Sequence, residues 1–435
     1  MLESATDQVQ DSPRGKQVSS APRTPQSPET ATTLRRYDLD WLRVYVIFAV
    51  FVFHSGRFFD MDGWHLKNPT THVASQVWTS FLANWLMPMI FVISGASLFY
   101  ALGSRGARKF IDDKIKRLLV PFIAGTLTHV MLQVYLERIS RHQFEGSFFD
   151  FIPHYFQGWY GFGGNFAWMG LHLWYLFILL LFSLLFYPLF RWLTNGSGKR
   201  ILRGIGDFLA FPGAVYILAL PIALVLALAF VKFDSHSIVW GRDFGGWPLP
   251  FYVFFLIYGF IIVSNDDLQK SIQRLRWVSL VTAVLCWAAL YLIGSKLGYM
   301  ALRTAQYEGI FGILAVSSWC WILAFLGFGF KHFTRNKPIL SYANEAVLPF
   351  YILHQTVLLS VGYFVIQWQI PDLLKWIIIA VISFPLVMAL YEFGIRRFNV
   401  MRFLFGMKAL PQSKVAPSFI ERPILRKTLN ETDRI

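Results

Sequence analysis

The chain is poor in charge. Asp, Glu, Lys and Arg make up only 15% of its 435 residues, whereas 55% are hydrophobic and 18% are aromatic. Because an ordinary soluble domain carries about 25% charged residues, this composition excludes a typical soluble enzyme. The apolar residues form runs of about 20, the length that a helix needs to cross the hydrocarbon core of a bilayer. Every backbone group in such a medium must bond within its own segment, so we expect these runs to be helices.

Cysteine is scarce as well. The two cysteines, Cys286 and Cys320, both fall inside apolar runs, where we interpret them as small core residues. The sequence therefore offers no disulfide framework and no cysteine-rich metal site, and we predict neither a metal nor a resident cofactor.

Residues 1–34 have no apolar core. They are rich in Ser, Thr, Pro and Gln, which predicts a disordered tail and not a signal peptide.

Acidic residues are outnumbered by basic ones, 25 to 40, which gives a formal net charge of +15. We do not expect nucleic-acid binding, because no basic soluble segment is available for it. Membrane proteins instead concentrate Lys and Arg in their cytoplasmic loops. Residues 102–117, 191–208, 265–276 and 331–345 hold sixteen Lys and Arg, twice as many as the intervening loops. This bias predicts that both termini lie in the cytoplasm.

The apolar runs predict an all-α, polytopic membrane protein with about ten transmembrane helices, located in the cytoplasmic membrane of the cell. We divide the chain into a cytoplasmic tail at 1–34, a membrane domain at 35–400, and a basic cytoplasmic tail at 401–435 that anionic lipid attracts. The predicted spans are residues 41–59, 79–101, 118–136, 171–190, 209–231, 247–264, 277–293, 308–330, 346–367 and 373–393.

The first span carries polar residues that are costly in a membrane, Asp40, Arg43 and His54. A charge at mid-membrane costs about 2.5–3.5 kcal/mol on insertion scales. The eleven residues from Arg43 to His54 return to nearly the same helix face, about 16 Å further along the helix, and Asp40 shares that face. Such a stripe favours an elongated ligand that contacts both ends. Alternatively, Arg43 is an interfacial anchor paired with Asp40, and His54 bonds to a neighbouring helix.

A basic group follows the second span. Lys114, Lys116 and Arg117 stand just before Pro121. Lys114 and Arg117 are three residues apart and share a face at a helix entrance, a geometry that suits phosphate groups. The alternative is that these cations only set the topology of the chain.

Further residues mark other spans. His172 and Trp174 open the fourth span, and Tyr351 and His354 share one face of the ninth. We take these four as candidate substrate-binding residues, while a structural role for His354 stays open. Ser94-Gly95 in the second span indicates a close-packing point. The loop at 137–169 is rich in Trp and Tyr, which form either an interfacial belt or a platform for sugar rings.

These residues, in this order, resemble integral membrane acyltransferase family three, and within it the glucan succinyltransferase-like branch of the glucans biosynthesis protein C type. The resemblance spans about residues 35–400. Its motifs are Leu39–Arg43 followed by His54, Phe91–Gly95, Lys114–Pro121, His172–Leu176 and Asn344–His354.

The resemblance implies a cytoplasmic acyl-CoA donor and transfer of a short acyl group to a carbohydrate hydroxyl on the far side of the membrane. By position, His54 matches the family's essential first-helix histidine and Arg43 its partner arginine. The basic run before Pro121 matches the region that holds the donor. We therefore predict an O-acyltransferase with His54 as general base and with Arg43, Lys114 and Arg117 as acyl-CoA ligands. A transporter or flippase for a sugar or lipid is the alternative.

Overall fold

The computed structural model describes residues 35–104, 106–231, 237–241, 244–297 and 308–410. Sixteen α-helices occupy most of these residues, and short 3₁₀ and π segments join several of them. Within the ranges described there is no β-strand, and a single isolated bridge pairs Trp159 with Phe166. The protein is therefore all-α over these ranges, as the apolar runs predict.

The helices follow the apolar runs of the sequence and are numbered in chain order. They are α1 (Tyr37–Gly56), α2 (Val73–Ser104), α3 (Ala107–Lys114), α4 (Val120–Leu127), α5 (His129–Ser140), α6 (Phe148–Tyr155), α7 (Trp174–Leu185), α8 (Tyr187–Leu193), α9 (Gly196–Ala210), α10 (Ala219–Val231), α11 (Leu249–Val263), α12 (Asp266–Leu297), α13 (Glu308–His332), α14 (Pro338–Val365), α15 (Asp372–Ala389) and α16 (Asn399–Leu404).

Seven helical segments of the described chain are long and apolar enough to cross a membrane. Two further candidates are bent pairs: Leu171–Leu185 with Tyr187–Leu193, bent by 57°, and Gly196–Ala210 with Ala214–Ala229, bent by 114°. The predicted span at 247–264 corresponds to α11, which has only 15 residues. The structure therefore supports seven to nine spans. The count of ten, and the cytoplasmic location of both termini, stay predictions.

The predicted tails fall largely beyond the residues that the structure describes. Residues 1–34 lie outside the described ranges, and so do residues 411–435 of the predicted C-terminal tail. The part of that tail which is described, 401–410, includes most of α16 and the residues after it. Pro349 lies inside α14, which continues through it as one helix.

Helices α2 and α11 approach each other so closely that glycine is required on both sides of their contact. A Cβ atom at Gly95 would lie 1.9 Å from the Leu256 carbonyl oxygen, and one at Gly259 would lie 1.9 Å from the Val92 carbonyl oxygen. Small residues allow membrane helices to pack backbone against backbone, where van der Waals contact stabilises the pair. The close-packing point predicted at Ser94-Gly95 is therefore present at Gly95.

Pro121 reshapes the chain after α3. Proline lacks the N–H group that would donate to the carbonyl four residues earlier, which is that of Arg117. The helix widens there into the π turn Ile115–Leu119, and the Val120 N–H donates to the carbonyl of Ile115, five residues earlier. The basic run of the sequence thus lies on a locally widened helix. Such π segments are rare in proteins, and those that occur often lie at functional sites.

We expect Gly95→Ala to destabilise the protein by about 1–3 kcal/mol, because the added methyl group overlaps the α11 backbone. Gly103→Ala is the matched control on the same helix, since a Cβ at Gly103 meets open space and alanine favours a helix over glycine by about 1 kcal/mol. Thermal unfolding of the purified protein in detergent should show a lower Tm for Gly95→Ala only. A wild-type Tm for Gly95→Ala would contradict the backbone contact.

Candidate active site

Three histidines from distant parts of the chain meet in the interior of the bundle. His54 lies in the last turn of α1, His172 in the 3₁₀ turn before α7, and His354 within α14. The ring centres of His54 and His354 are 5.2 Å apart, and those of His172 and His354 are 5.3 Å apart. His172 and His354 are buried. We call these three residues the histidine cluster.

A strained turn places His172. Leu171, which precedes it, has a positive φ of 48°. A non-glycine residue in this left-handed region costs roughly 1–2 kcal/mol, and such strain is concentrated at functional sites. The His172 carbonyl accepts a hydrogen bond from the Tyr351 hydroxyl. The ring is held at both nitrogens, because Nε2 donates to the Ile352 carbonyl at 3.0 Å and Nδ1 faces the Gln133 amide at 3.4 Å.

His54 and His354 are held at fewer atoms. The His354 Nδ1 donates to the Tyr351 carbonyl at 2.7 Å, so the neutral ring keeps a lone pair on Nε2. Among the described residues, this Nε2 atom has no hydrogen-bond partner although it is buried, and the same holds for the His54 Nδ1 atom. Buried polar atoms of this kind are rare and call for an explanation such as a catalytic role. The two open nitrogens belong to neighbouring rings.

A cavity of about 900 Å³ adjoins the cluster. Asn84 and Gln355 line it, and their side-chain oxygens are buried without a partner in the part of the chain described. Polar and aromatic side chains share the lining, which includes His54, Arg57, Asp62, Trp64, His65, Gln76, Ser80, Tyr160, His172, Trp174, Trp247 and Trp287. Such a mixed lining is typical of small-molecule sites.

The loop after α1 forms part of the cavity wall and is held by ion pairs to the buried carboxylate of Asp60. Arg57 bonds to Asp60 at 2.5 Å, and the Lys67 ammonium reaches the same carboxylate at 2.8 Å. Burial lowers the pKa of the Lys67 ammonium, and the hydrogen bond to Asp60 opposes that shift. This loop places the centre of the Trp64 ring 5.9 Å from the centre of the His54 ring, with an angle of 23° between the two ring planes.

A second buried carboxylate, that of Glu137, holds Tyr160 in the Trp- and Tyr-rich loop at 137–169. Glu137 is only 1% exposed and accepts hydrogen bonds from the Tyr160 hydroxyl at 2.7 Å and from His65 Nδ1 at 2.5 Å. Arg138 and Arg141 pair with its other oxygen at 3.1 and 2.9 Å. Burial raises the pKa of Tyr160, and the Glu137 carboxylate adds to that shift, so the phenol stays protonated as a donor. Tyr160 is thereby held at the cavity wall.

Hydroxyl groups form a row between the cluster and Arg43. The row begins at Tyr351, whose ring centre is 5.8 Å from that of Tyr175. The Tyr175 hydroxyl is hydrogen-bonded to Ser94 Oγ at 2.6 Å. One turn along α2, Ser97 Oγ accepts a hydrogen bond from the Arg43 guanidinium at 2.9 Å. We call Tyr351, Tyr175, Ser94 and Ser97 the hydroxyl row.

Arg43 lies at the other end of α1 from His54 and bonds to three helices. Its guanidinium contacts Asp40 and Asn344, each at 3.2 Å, in addition to Ser97. The pair with Asp40 is the arrangement expected of an interfacial anchor, but the bonds to Asn344 and Ser97 fix the guanidinium between α1, α2 and α14. Of the described residues, those that line the cavity do not include Arg43. Arg43, Ser94 and Ser97 are half-buried, whereas Tyr175 and Tyr351 of the hydroxyl row are buried.

The basic run lies on a different segment of the protein. Lys114 ends α3, and its ammonium is 5.5 Å from the centre of the Phe110 ring. Arg117 is exposed in the π turn, and Lys116 pairs with Asp112 at 2.7 Å. Neither Lys114 nor Arg117 is among the partners of Arg43 described above. A shared donor site of Arg43, Lys114 and Arg117 accordingly stays a prediction.

The structure gathers the other predicted site residues around one region. These residues are His54, His172, Trp174, Tyr351 and His354. Sequence reasoning missed Gln133, Gln355 and Tyr175. The two glutamines were detectable, since an amide within an apolar span is costly and usually faces a partner. Tyr175 carried no such indication, because aromatic residues are common in spans.

An acyltransferase domain family matches residues 36–392, which is most of the chain. The chain belongs to this acyltransferase family. It is therefore a multi-pass membrane O-acyltransferase, and the finding favours an enzyme over a transporter. Relatives named glucans biosynthesis protein C, from Salmonella paratyphi A, Salmonella agona and Salmonella heidelberg, are each 19% identical over 380 residues. The matches cover 86% of this chain and 95% of each relative. No solved structure matches the chain.

Proposed function

We propose that the enzyme moves a short acyl group from cytoplasmic acyl-CoA to a hydroxyl group of an extracytoplasmic carbohydrate, with His54 as general base. The hydroxyl row is the observation that carries this proposal, because it joins a guanidinium to the histidine cluster through the interior of the bundle. Polar groups at membrane depth are costly and mark substrate pathways. The name shared by the relatives supports a glucan as the acceptor.

The donor would enter at the Arg43 end. Its phosphates would pair with the guanidinium, for which charge-assisted and bidentate hydrogen bonds are favourable, and Lys114 and Arg117 would add positive charge. The pantetheine amides would replace hydrogen bonds along the hydroxyl row. The thioester would then reach His54, about 16 Å along α1 from Arg43. Tyr175 and Tyr351 are buried, so their side chains would have to move for the pantetheine arm to pass.

The acceptor would occupy the cavity, and a rotation of the Asn84 and Gln355 amides would let its hydroxyl groups donate hydrogen bonds to their oxygens. His54 would take the proton of the attacking hydroxyl as its oxygen bonds to the thioester carbonyl carbon. When the carbon–sulfur bond breaks, the same proton would pass to the leaving thiolate. The products are an ester and CoA with a free thiol. General base assistance of this kind contributes about 10²–10⁴ in rate.

His354 would act as a positioning residue for His54. Because the Tyr351 carbonyl holds a proton on His354 Nδ1, the Nε2 atom can only accept. A proton on His54 Nδ1 would be donated to that atom, which would leave the His54 Nε2 lone pair directed at the acceptor. The arrangement of a base and an orienting group follows the logic of hydrolytic triads.

We expect His54→Ala to fold but to lose about 10²–10⁴-fold in the rate of acyl transfer, since the base is removed. The assay follows release of the CoA thiol from acetyl-CoA and succinyl-CoA together with mass labelling of a glucan oligosaccharide. His154→Ala is the control, because His154 is an exposed histidine of a loop helix. Acylation at the wild-type rate by His54→Ala would refute the role of His54, and movement of sugar without CoA release would indicate a transporter.

We expect Arg43→Ala to raise the KM for acyl-CoA by about ten- to a hundredfold, because a charged hydrogen bond contributes about 1.5–3 kcal/mol. The KM for the acceptor should change much less. Arg43→Lys should recover part of the affinity, since a lysine keeps the charge but not the fork geometry. Steady-state kinetics with each substrate varied in turn measures both constants. An unchanged KM for acyl-CoA in Arg43→Ala would remove Arg43 from the donor site.

We expect His354→Leu to lower kcat by about ten- to a hundredfold with little change in either KM, because it removes the Nε2 acceptor that would bond to the imidazolium formed at His54 during the reaction. His354→Gln should retain more activity, since its amide oxygen can take the place of Nε2 as an acceptor. Nitrogen NMR of ¹⁵N-histidine-labelled protein should place the His54 proton on Nδ1 in the wild type. A proton on Nε2 there would contradict this role whether or not acyl transfer is observed.

A further inference from the structure

Helix α9 is fixed firmly to the rest of the bundle through one of its faces. Gly198, Leu202, Gly206 and Leu209 are buried on that face. A Cβ atom added at Gly198 would lie 2.2 Å from the Trp192 carbonyl oxygen, and one added at Gly206 would lie 2.7 Å from the Asn265 Cβ atom. The spacing of four, four and three residues is that of a single helical stripe. The remaining two faces of α9 are turned away from the protein.

The second face is apolar and exposed. Ile201, Ile205 and Phe208 are 48%, 39% and 54% exposed, and Phe211 just beyond the helix is 66% exposed. The residues lie four and three positions apart, so they form a continuous stripe beside the buried one. Contiguous apolar surface of this kind marks an interaction surface with protein or membrane.

The third face is cationic. Lys199, Arg200 and Arg203 are exposed, and within the described part of the chain none of their side chains forms a hydrogen bond or an ion pair. The single acid of α9, Asp207, accepts a hydrogen bond from the Asn265 amide at 2.7 Å instead. Three unneutralised cations therefore stand next to an apolar stripe on one rigid helix.

The orientation of α9 follows from the segment after it. Ala214–Ala229 is bent by 114° relative to α9 and carries no charged residue. We take Ala214–Ala229 as the part of this bent pair that crosses the membrane along the bilayer normal, which leaves α9 close to the plane of the membrane. The charges of α9 are too costly for the hydrocarbon core. A helix with an apolar face, a basic face and this orientation fits the membrane–water interface.

We propose that α9 is an in-plane interfacial helix that binds the headgroups of anionic phospholipids through Lys199, Arg200 and Arg203. The apolar stripe would contact the acyl chains while the cations contact the headgroup phosphates of the same lipids. Basic groups at a membrane surface attract anionic lipid, by roughly a fivefold gain in affinity for each cation at low salt. The proposal concerns a surface away from the cavity and does not depend on acyl transfer.

The test uses the full-length protein in nanodiscs that contain equal amounts of phosphatidylglycerol and phosphatidylcholine. Native mass spectrometry measures the ratio of the two lipids retained by the released protein. In the triple variant Lys199→Gln, Arg200→Gln, Arg203→Gln, we expect the phosphatidylglycerol excess to fall at least about fivefold at low salt. The control variant Lys331→Gln, Arg335→Gln, Lys337→Gln removes the same charge from exposed residues in the last turn of α13 and in the loop before α14, and should keep the excess.

A second variant separates the two contacts. Ile205→Ser with Phe208→Ser leaves all three cations in place and should still reduce the retained phosphatidylglycerol, because the apolar stripe is lost. An equal loss in the control triple variant, or none in the α9 triple variant, would overturn the proposal. Release of phosphatidylglycerol by inorganic phosphate or CoA at constant ionic strength would overturn it in favour of a soluble phosphate compound.

Discussion

Polar groups inside a membrane bundle must find their partners within the protein, because hydrocarbon offers none. Most of this structure obeys that constraint closely. His172 is held at both ring nitrogens, and the buried carboxylate of Glu137 is surrounded by donors. Thirteen buried side-chain atoms of the described residues lack a partner, and two of them, His54 Nδ1 and His354 Nε2, belong to neighbouring rings of the histidine cluster. In the proposed mechanism, a transferred proton would satisfy these two nitrogens.

Much of the fold could be predicted because its determinants are local. A run of apolar residues fixes both the type and the length of a membrane helix, and the predicted span at 41–59 differs from α1 by only a few residues at each end. The stripe of Asp40, Arg43 and His54 also follows from helix geometry alone. The number of spans could not be predicted from apolar runs alone, because α11 is short and two candidate spans are bent.

The arrangement of the site could not be predicted in the same way. Contacts of α1 with α14, and of both with the turn before α7, join residues more than a hundred positions apart, and no local pattern specifies them. The positive φ of Leu171 was invisible, because leucine has no preference for it. The sequence of α9 does contain a helical pattern, because Ile201, Ile205 and Phe208 follow helical spacing. The helix was not predicted because its cations were counted as charges of a loop.

The two ends of the proposed site differ in how easily they can open. At the cavity end, the buried Glu137 pairs with several donors, and breaking a buried ion pair by removing one partner costs about 3–5 kcal/mol. At the other end, the Arg43 side chain is 31% exposed and bonds to Asp40, Asn344 and Ser97. Phosphate groups of a donor would replace these three hydrogen bonds with charge-assisted ones. In the proposed mechanism, the cavity is therefore the preformed half of the site, and the contacts of Arg43 with α1, α2 and α14 are the half that rearranges when the donor binds.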